Sequence, residues 1–491
     1  MHYGRSCIWL GLGAVLLAVG SRSSAFPLAM WLALALLLRA ARTLPPWPGG
    51  PFLLTALYVA LAIGNRGVLP VGDPLYFLVI TAIGVPTLLP FAADRLLARR
   101  VPGWAATLAF PAAWVAVELV NARLAPGGTW GSIAYSQYGN LPLMQLAALT
   151  GLGGISFLVA WFAPVANAAW ERGLAWPAVQ RIVLPYAAIL VAVTAGGALR
   201  VALAPRPARP LRTAVVSFPT DFFVPGEVTR FQEGHLDASE GSPLSGKLAR
   251  LHAFFLDGTE REARAGARLV AWPETNLLVT RADEPAFLER ARRLAAERRV
   301  AIAMGMGTVE PGARRPLQNK LVLVDDSGRT VFSYDKSRPV PGWEASLVTP
   351  GTGRLPVVDT NAGRIAAAIC FDADFPDLVH QAGEARAELF VLSANDWEAI
   401  KHFHLEMAAF RAIENGVPVL RATSRGISAA FDPWGRLLAA TDHFSGARTM
   451  VAIVPVGAVP TVYARVGDAF AWLCVGALAL STAFGLSRRS T

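Results

Sequence analysis

The chain has 491 residues, of which 54% are hydrophobic and only 16% are charged. Soluble globular proteins carry about a quarter charged residues, so this composition excludes an ordinary soluble protein. The formal net charge is +10, but the arginines stand in short segments between apolar runs and form no basic stripe interleaved with aromatic residues. We therefore interpret them as membrane-topology signals and expect no nucleic-acid partner.

Apolar stretches that suit a membrane span, which takes roughly 20 residues, occur eight times. They cover residues 7–21, 25–41, 51–67, 75–93, 104–122, 152–170, 181–199 and 467–486. We predict a bundle of about eight spans, made of a seven-helix region over 1–205 and a C-terminal helix with a tail over 461–491. Residues 206–460 have the composition of a soluble protein and are predicted to form one domain between the seventh and eighth spans.

The arginines predict how the chain is oriented in the membrane. With the N-terminus in the cytoplasm, the inner segments carry Arg39, Arg42, Arg95, Arg99, Arg100, Arg172, Arg181, Arg488 and Arg489. The outer segments carry only Arg22, Arg66 and Arg123. The positive-inside rule then predicts that both termini are cytoplasmic and that the soluble domain is extracytoplasmic. A lone thiol there, Cys370, meets an oxidising compartment and calls for a reason beyond packing.

The soluble block alternates between strand-like and helix-like runs. Strands are predicted at 211–218, 267–273, 300–309, 319–325, 330–335, 364–370, 387–393, 418–423, 427–431 and 449–456. Helices are predicted at 244–266, 284–298, 374–385 and 399–415. This alternation indicates a mixed sheet layered with helices.

Three chemically active residues follow or end strand-like runs in this domain: Glu274, Lys336 and Cys370. A base, a cation and a thiol are the groups needed to make and break an acyl thioester. We predict that Glu274 moves the proton, and that Lys336 favours the thiolate and stabilises an oxyanion together with the backbone N–H of Phe371. Taken alone, Cys370 is better explained as a small buried core residue. Only the three residues together favour catalysis.

Other polar residues carry weaker signals. His402, His404 and Glu406 suggest a metal site, but positions i and i+2 do not share a helix face, so we predict a solvated face and no metal. The long loop after the fifth span contains Tyr135 and Gln137. From composition alone, we interpret its aromatic residues as a belt at the membrane surface.

Three motifs resemble the catalytic motifs of the nitrilase, or carbon–nitrogen hydrolase, superfamily. They are Trp272-Pro273-Glu274, Tyr334-Asp335-Lys336 and Ile369-Cys370-Phe371-Asp372. Eight spans with the domain between the last two narrow the resemblance to the apolipoprotein N-acyltransferase family of bacterial inner membranes. The resemblance implies an αββα sandwich for the soluble domain, on the periplasmic face.

This resemblance also implies a two-step reaction without a cofactor or a metal. Cys370 would take an acyl chain from a membrane phospholipid, giving a thioacyl-enzyme and a lysophospholipid. The α-amine of a diacylglyceryl-cysteine at the N-terminus of an apolipoprotein would then accept the chain. The implied partners are thus a phospholipid acyl donor, an apolipoprotein acceptor and the membrane itself.

Further residues take roles from the resemblance. Glu344 falls on a glutamate that the family uses in the loop after the lysine, and Trp343 lies beside it in the same candidate lid. Tyr135, Gln137 and Asn395 match smaller motifs and are candidate substrate-contacting residues.

The sequence departs from the family at two catalytic segments. Phe371-Asp372 stands where many members have Tyr-Glu, and Pro341-Gly342-Trp343-Glu344 replaces Pro-Phe-Gly-Glu. Two alternatives within enzymes therefore stay open: a paralogue that acylates a different amine, and a membrane-anchored amidase that uses water. A third alternative, from another class, is a non-catalytic membrane protein that binds lipid or a partner.

Overall fold

A computed structural model describes residues 3–22, 26–69, 71–98, 100–205, 209–219, 222–239 and 241–487 of the chain. Contacts divide the chain into two compact units. The first combines residues 1–204 with 466–491, and the second comprises residues 205–465.

The regular secondary structure of the first unit is helical throughout its described residues. Its helices are α1 (Tyr3–Arg22), α2 (Pro27–Thr43), α3 (Pro46–Gly64), α4 (Asp73–Gly84), α5 (Leu89–Leu97), α6 (Ala109–Leu124), α7 (Leu141–Met144), α8 (Ala147–Thr150), α9 (Leu152–Glu171), α10 (Trp176–Ala202) and a C-terminal helix, Ala469–Ser487. Proline at the first or second position begins several of them, where its missing N–H is not needed.

Six helical segments among the described residues are long and apolar enough to cross a membrane. They are Gly4–Ser21, Pro46–Gly64, Asp73–Leu97, Gly103–Leu124, Leu152–Glu171 and Trp176–Ala202. Helices also occupy the other two predicted positions, but α2 has 17 residues and the apolar C-terminal stretch Ala469–Ala483 is short as well. The predicted count of eight is therefore approximate.

Charged residues cluster where three helices of the first unit end. Arg42 at the end of α2 binds both oxygens of the buried Asp94 on α5, at 2.8 and 2.7 Å. Arg39 and Arg42 also reach Glu171 at the end of α9, at 3.2 and 3.4 Å. These arginines belong to the predicted inner segments. The orientation itself stays a prediction, and Arg99, Arg488 and Arg489 lie outside the described residues.

The loop between α6 and α7 is held by a carboxylate of α6. Glu118 accepts hydrogen bonds from the Ser132 hydroxyl at 3.0 Å, from the Ile133 amide at 2.9 Å and from Ser156 at 2.6 Å. Within this loop, Tyr135 is 3% exposed and Gln137 is 1% exposed. Tyr135 therefore packs inside the unit and does not form part of an aromatic belt, which corrects the interpretation drawn from composition.

The second unit contains thirteen strands and seven helices among its described residues. The strands are β1 (Pro210–Val216), β2 (Leu269–Ala271), β3 (Leu277–Thr280), β4 (Ala301–Val309), β5 (Leu317–Val324), β6 (Thr330–Asp335), β7 (Val357–Thr360), β8 (Gly363–Ile369), β9 (Leu389–Asn395), β10 (Val419–Ser424), β11 (Ile427–Phe431), β12 (Leu437–Asp442) and β13 (Thr449–Pro455). The helices are α11 (Glu227–Gln232), α12 (Pro243–Arg264), α13 (Glu284–Arg298), α14 (Trp343–Leu347), α15 (Pro376–Glu384), α16 (Lys401–Asn415) and α17 (Tyr463–Val466).

These strands form two sheets that pack against each other. The first sheet has the order β13-β1-β2-β4-β5-β6 with β3 beside β4, and the second has the order β12-β11-β10-β9-β8-β7. Helices α12 and α13 pack on the first sheet, and α15 and α16 pack on the second. The result is the αββα sandwich that the resemblance implied.

Helix α12 shows how the sequence directs this layering. The Ser242 hydroxyl accepts the amide of Ser245 and caps the helix start, where Pro243 follows. Leu244, Leu248 and Leu251 recur at helical spacing and are buried against the first sheet.

Some elements were not predicted. Strands β3, β7 and β12 and the short helices α11 and α14 have no counterpart among the predicted runs. β7 and β12 are edge strands that are largely half-exposed or exposed. They lack the alternation of apolar and polar residues by which a strand is recognised.

Candidate active site

The three predicted catalytic residues follow the carboxyl ends of β2, β6 and β8. Two hydrogen bonds join the sheets here. The Ser393 hydroxyl donates to the backbone carbonyl of Trp272 at 2.9 Å, and the backbone amide of Glu274 donates to the backbone carbonyl of Ala394 at 3.3 Å. This contact brings the segment after β2 against the end of β9, the direct neighbour of β8. The fold thereby places Glu274 near Cys370.

The ammonium group of Lys336 is the centre of the charged part of the site. Its Nζ donates to Glu274 Oε1 at 2.7 Å and to Glu344 Oε2 at 2.8 Å. The Asn319 side-chain amide, on β5, donates to the same two carboxylates at 2.6 and 2.8 Å. The backbone amide of Val340 also donates to Glu344 Oε2, at 2.7 Å. One buried cation thus lies between two carboxylates.

Burial and pairing shift the pKa values of these groups in a coherent way. Burial opposes the charge on Lys336, but Glu274 and Glu344 outweigh burial and raise the pKa of the ammonium well above its usual value. The pKa of Glu274 is also raised, because burial outweighs the attraction of Lys336 and Glu344 adds repulsion. Lys336 therefore stays charged, and Glu274 becomes a stronger base than a solvated glutamate.

Cys370 stands in a strained turn after β8. Its φ is +46°, in the left-handed region that residues with a Cβ rarely adopt. Such strain costs about 1–3 kcal/mol and clusters at functional sites. The thiol is 7% exposed and points its Sγ at the backbone carbonyl of Asn395, 3.9 Å away. The turn thus aims the sulfur at the end of β9.

Asp372 stabilises this turn through hydrogen bonds. It is fully buried and accepts hydrogen bonds from the Tyr334 hydroxyl at 2.8 Å, the Arg338 amide at 2.7 Å and the Ile369 amide at 3.1 Å. Burial raises the pKa of this carboxyl to about 6. Asp372 therefore ties the segment around Lys336 to the segment that carries Cys370.

The protonation state of Cys370 depends on its burial and on the charged groups around it. Burial and the charge of Glu274 raise the pKa of the thiol well above its usual value, and Lys336 offsets them only in part. The resting sulfur is accordingly a thiol, and Lys336 alone does not generate the thiolate. A base must remove the proton, which is the role predicted for Glu274.

The prediction for the histidines of α16 was wrong for His404. His402 is exposed as expected, whereas His404 is buried and its Nδ1 contacts Asp396 Oδ1 at 2.9 Å. The second oxygen of Asp396 accepts from Arg421 at 2.6 Å. Sequence reasoning overlooked this buried cluster, although Asp396 directly follows the predicted substrate residue Asn395.

The remaining predicted residues lie in different places. Phe371 stacks edge-to-face on Phe375 within the nucleophile turn. Trp343 is half-exposed and its ring N–H donates to Glu233 at 2.9 Å. The roles of these residues in binding or catalysis stay predictions, as do those of Tyr135 and Gln137 in the other unit.

Asn319 and Asn395 each bring an unused acceptor to the site. Their side-chain oxygens are buried and have no hydrogen-bond partner among the described residues. For Asn319 the orientation is fixed, because its N–H groups face Glu274 and Glu344. A buried acceptor without a partner costs about 1–3 kcal/mol of stability, so a hydrogen bond from a substrate N–H or O–H to either oxygen would be favourable.

Comparisons with known proteins agree with both units. A family model described as apolipoprotein N-acyltransferase N-terminal domain matches residues 13–165, and one described as carbon-nitrogen hydrolase matches residues 238–460. An apolipoprotein N-acyltransferase of Geobacter metallireducens is 30% identical in an alignment of 411 positions, which covers 78% of this chain and 75% of that protein. One of Azotobacter vinelandii is 28% identical in an alignment of 520 positions, which covers 98% of this chain and 94% of that protein. Among solved structures, an amidase from Nesterenkonia sp. covers 54% of this chain and 96% of its own, with 20% identity and a TM-score of 0.41.

The helical unit and the domain with its buried thiol define a membrane-embedded enzyme of the nitrilase superfamily. More narrowly, the chain belongs to the apolipoprotein N-acyltransferase family.

Proposed function

We propose that this protein transfers an acyl chain from a membrane phospholipid to the N-terminal amine of a diacylglyceryl-cysteine in apolipoproteins, through a thioester on Cys370. The observation that carries the proposal is the arrangement of Lys336 and Glu274 beside a buried thiol in a strained turn. It supplies a nucleophile, a base and a fixed positive charge within one buried site. The family relationship provides the class of acyl acceptor.

In the first step, the sulfur of Cys370 attacks the ester carbonyl carbon of the phospholipid. Glu274 takes the thiol proton, and the charge of Lys336 stabilises the oxyanion that develops. The ester C–O bond then breaks, and Glu274 returns the proton to the leaving oxygen. The products are a thioacyl-enzyme and a lysophospholipid.

In the second step, the unprotonated α-amine of the acceptor attacks the thioester carbonyl. Glu274 takes a proton from the attacking nitrogen and delivers it to the sulfur as the C–S bond breaks. The free acceptor oxygens of Asn319 and Asn395 suit this step, because an amine brings N–H donors that a phospholipid ester lacks. We propose Asn395 and Asn319 as the groups that orient the amine.

Both substrates are lipids, so the site must be reached from a bilayer surface. We propose that the protein lies in the bacterial inner membrane with both termini in the cytoplasm and the catalytic unit on the periplasmic face. The distribution of arginines between short segments supports this orientation. Trp343, half-exposed at the start of α14, the short helix that also carries Glu344, is proposed to form part of a lid.

The decisive experiment measures the intact mass of the purified protein after incubation with phospholipid. Wild type is expected to gain one acyl chain, which hydroxylamine removes and which moves to an added diacylglyceryl-cysteine peptide. Cys370→Ala is expected to gain none, while Cys474→Ala in the first unit serves as the matched control and retains the adduct.

Two results would contradict the proposal. An adduct that persists in Cys370→Ala would place the nucleophile elsewhere. An adduct that is released only to water, with no transfer to the peptide, would favour an amidase.

A further inference from the structure

A second charged cluster lies close to Cys370, and the proposed reaction does not use it. It consists of His404, Asp374, Asp396 and Arg421. His404 is 6% exposed on α16, and its ring lies between two carboxylates. Nδ1 is 2.9 Å from Asp396 Oδ1, and Nε2 is 3.5 Å from Asp374 Oδ2. The two carboxylates raise the pKa of His404 to about 9 against the effect of its burial, so the ring is an imidazolium at neutral pH.

The two carboxylates belong to the two segments that position the thiol. Asp374 ends the short helical turn Cys370–Asp374. Asp396 follows Asn395, whose carbonyl faces the Cys370 sulfur. His404 therefore bridges the turn that carries the nucleophile and the strand end toward which the nucleophile points.

Asp396 is itself held rigidly. Its second oxygen accepts from Arg421 at 2.6 Å, and its backbone amide donates to the carbonyl of Ser424 at 3.0 Å. A Cβ at Gly426 would lie 2.2 Å from the Asp396 carboxylate, so only glycine allows this close approach. Arg421 in turn donates to the carbonyl of Ile427 at 2.6 Å. The cluster is thus anchored to β10 and β11.

A metal-binding role fits this cluster less well. The Cys370 sulfur, an oxygen of Asp396 and a ring nitrogen of His404 lie within 4.8 Å of one another, and these residue types bind zinc. Both oxygens of Asp396, however, already accept hydrogen bonds from cationic groups. The two carboxylates are balanced by His404 and Arg421, so the cluster needs no further positive charge.

The strained backbone at Cys370 needs contacts that hold it, and the bridge through His404 is one of them. A residue with a Cβ keeps a positive φ only where its surroundings hold it there. We propose that His404 is a positioning residue, whose imidazolium clamps Asp374 to Asp396 and so keeps the Cys370 sulfur aimed for attack. This inference rests on the proposed role of Cys370 as the nucleophile.

The test compares His404→Leu with His404→Asn, whose side-chain N–H can replace Nδ1–H toward Asp396. The measured quantities are the rate of thioester formation, the phospholipid concentration that gives half the maximal rate, and the rate at which a small alkylating reagent modifies Cys370. We expect His404→Leu to slow thioester formation about 10- to 100-fold, because small misplacements of reacting groups have effects of this size. The phospholipid concentration that gives half the maximal rate should not change, and His404→Asn should form the thioester at least several-fold faster than His404→Leu.

Two further variants complete the experiment. His402→Leu alters an exposed histidine of the same helix and is expected to retain the wild-type rate. Asp374→Asn weakens the other side of the clamp and is expected to slow thioester formation several-fold, which provides a test if His404→Leu fails to fold.

The possible failures are distinguishable. A wild-type rate in His404→Leu, or in Asp374→Asn, would overturn the inference, as would an equal loss in His404→Asn and His404→Leu. If wild type itself forms no thioester, the proposed function fails. The alkylation rates then still decide whether His404 controls the exposure and direction of the Cys370 sulfur.

Discussion

The first sheet of the catalytic unit supplies the charges of the site, whereas the second sheet supplies its strained nucleophile. On the first sheet, Lys336 is held by Glu274 and Glu344 in direct ion pairs. On the second sheet, Cys370 makes no ion pair among the described residues and depends on its turn for its direction. The activity of the residues on the first sheet, the charged side of the site, should therefore depend on their charges. The activity of Cys370 on the second sheet, the nucleophile side, should depend on the geometry of its turn.

Asp372 connects the two sides. It belongs to the nucleophile turn but binds the Tyr334 hydroxyl and the Arg338 amide, which flank Lys336. His404 has the corresponding role within the second side, where it connects two segments of that sheet. The charged groups are thus held by each other, while the thiol lies in a turn that is held by groups with no part in the proposed reaction.

The largest effect is expected from Lys336→Met, which tests the charged side. It leaves Glu274 and Glu344 buried without their cation, and breaking a buried ion pair in this way costs about 3–5 kcal/mol. Thioester formation should fall by about 10³-fold or more, because the oxyanion loses its charge and Glu274 loses its partner. The measurements are the rate of the acyl adduct and the free energy of unfolding.

Lys320→Met is the matched control for that change. Lys320 lies on β5, is also buried, and pairs with Glu284 away from the site. It should be destabilised by a similar amount but form the adduct at a rate within a few-fold of wild type. Equal loss of activity in both variants would show that Lys336 acts only through stability.

The pH dependence of stability isolates the cluster on the nucleophile side. His404 faces Asp374, Asp396, Cys370 and, through Asp396, Arg421. Its pKa rises from 6.5 to about 9 on folding. Its contribution is therefore complete below pH about 6.5 and is lost as the pH rises through about 9.

Each pKa unit corresponds to about 1.4 kcal/mol, so this contribution is of the order of 3 kcal/mol. The free energy of unfolding of wild type should decrease between pH 7 and pH 10 more steeply than that of His404→Asn. Parallel curves for the two proteins would show that His404 is neutral in the folded state.

A smaller effect is expected from Asp372→Asn, which weakens the link between the two sides. An amide offers one oxygen in place of two, so either the Arg338 amide or the Tyr334 hydroxyl loses its acceptor. Leaving one buried donor unpaired costs about 1–3 kcal/mol. Thermal unfolding should shift accordingly, and thioester formation should slow by less than in Lys336→Met. An unchanged melting temperature would argue against Asp372 as the link.

The sequence allowed much of the site to be predicted, because its signals were local. Glu274, Lys336 and Cys370 each end or follow a β-like run, and the alternation of strands and helices was sufficient for the layered fold. The edge strands β7 and β12 were missed since their residues are not alternately buried and exposed. The raised pKa of the Cys370 thiol could not be predicted, because the sequence does not show how deeply the residue is buried.

The sequence was enough to show which groups are available for the chemistry and that they belong to a chain with membrane-spanning segments. Apolar length and strand-end position are properties of short segments, and they can be read without knowledge of the fold. The tertiary structure alone decided that His404, rather than His402, turns inward to meet Asp396 and Asp374. That choice depends on which face of α16 packs on the second sheet and on the parallel register of β8, β9 and β10, which brings residues distant in sequence to one buried cluster.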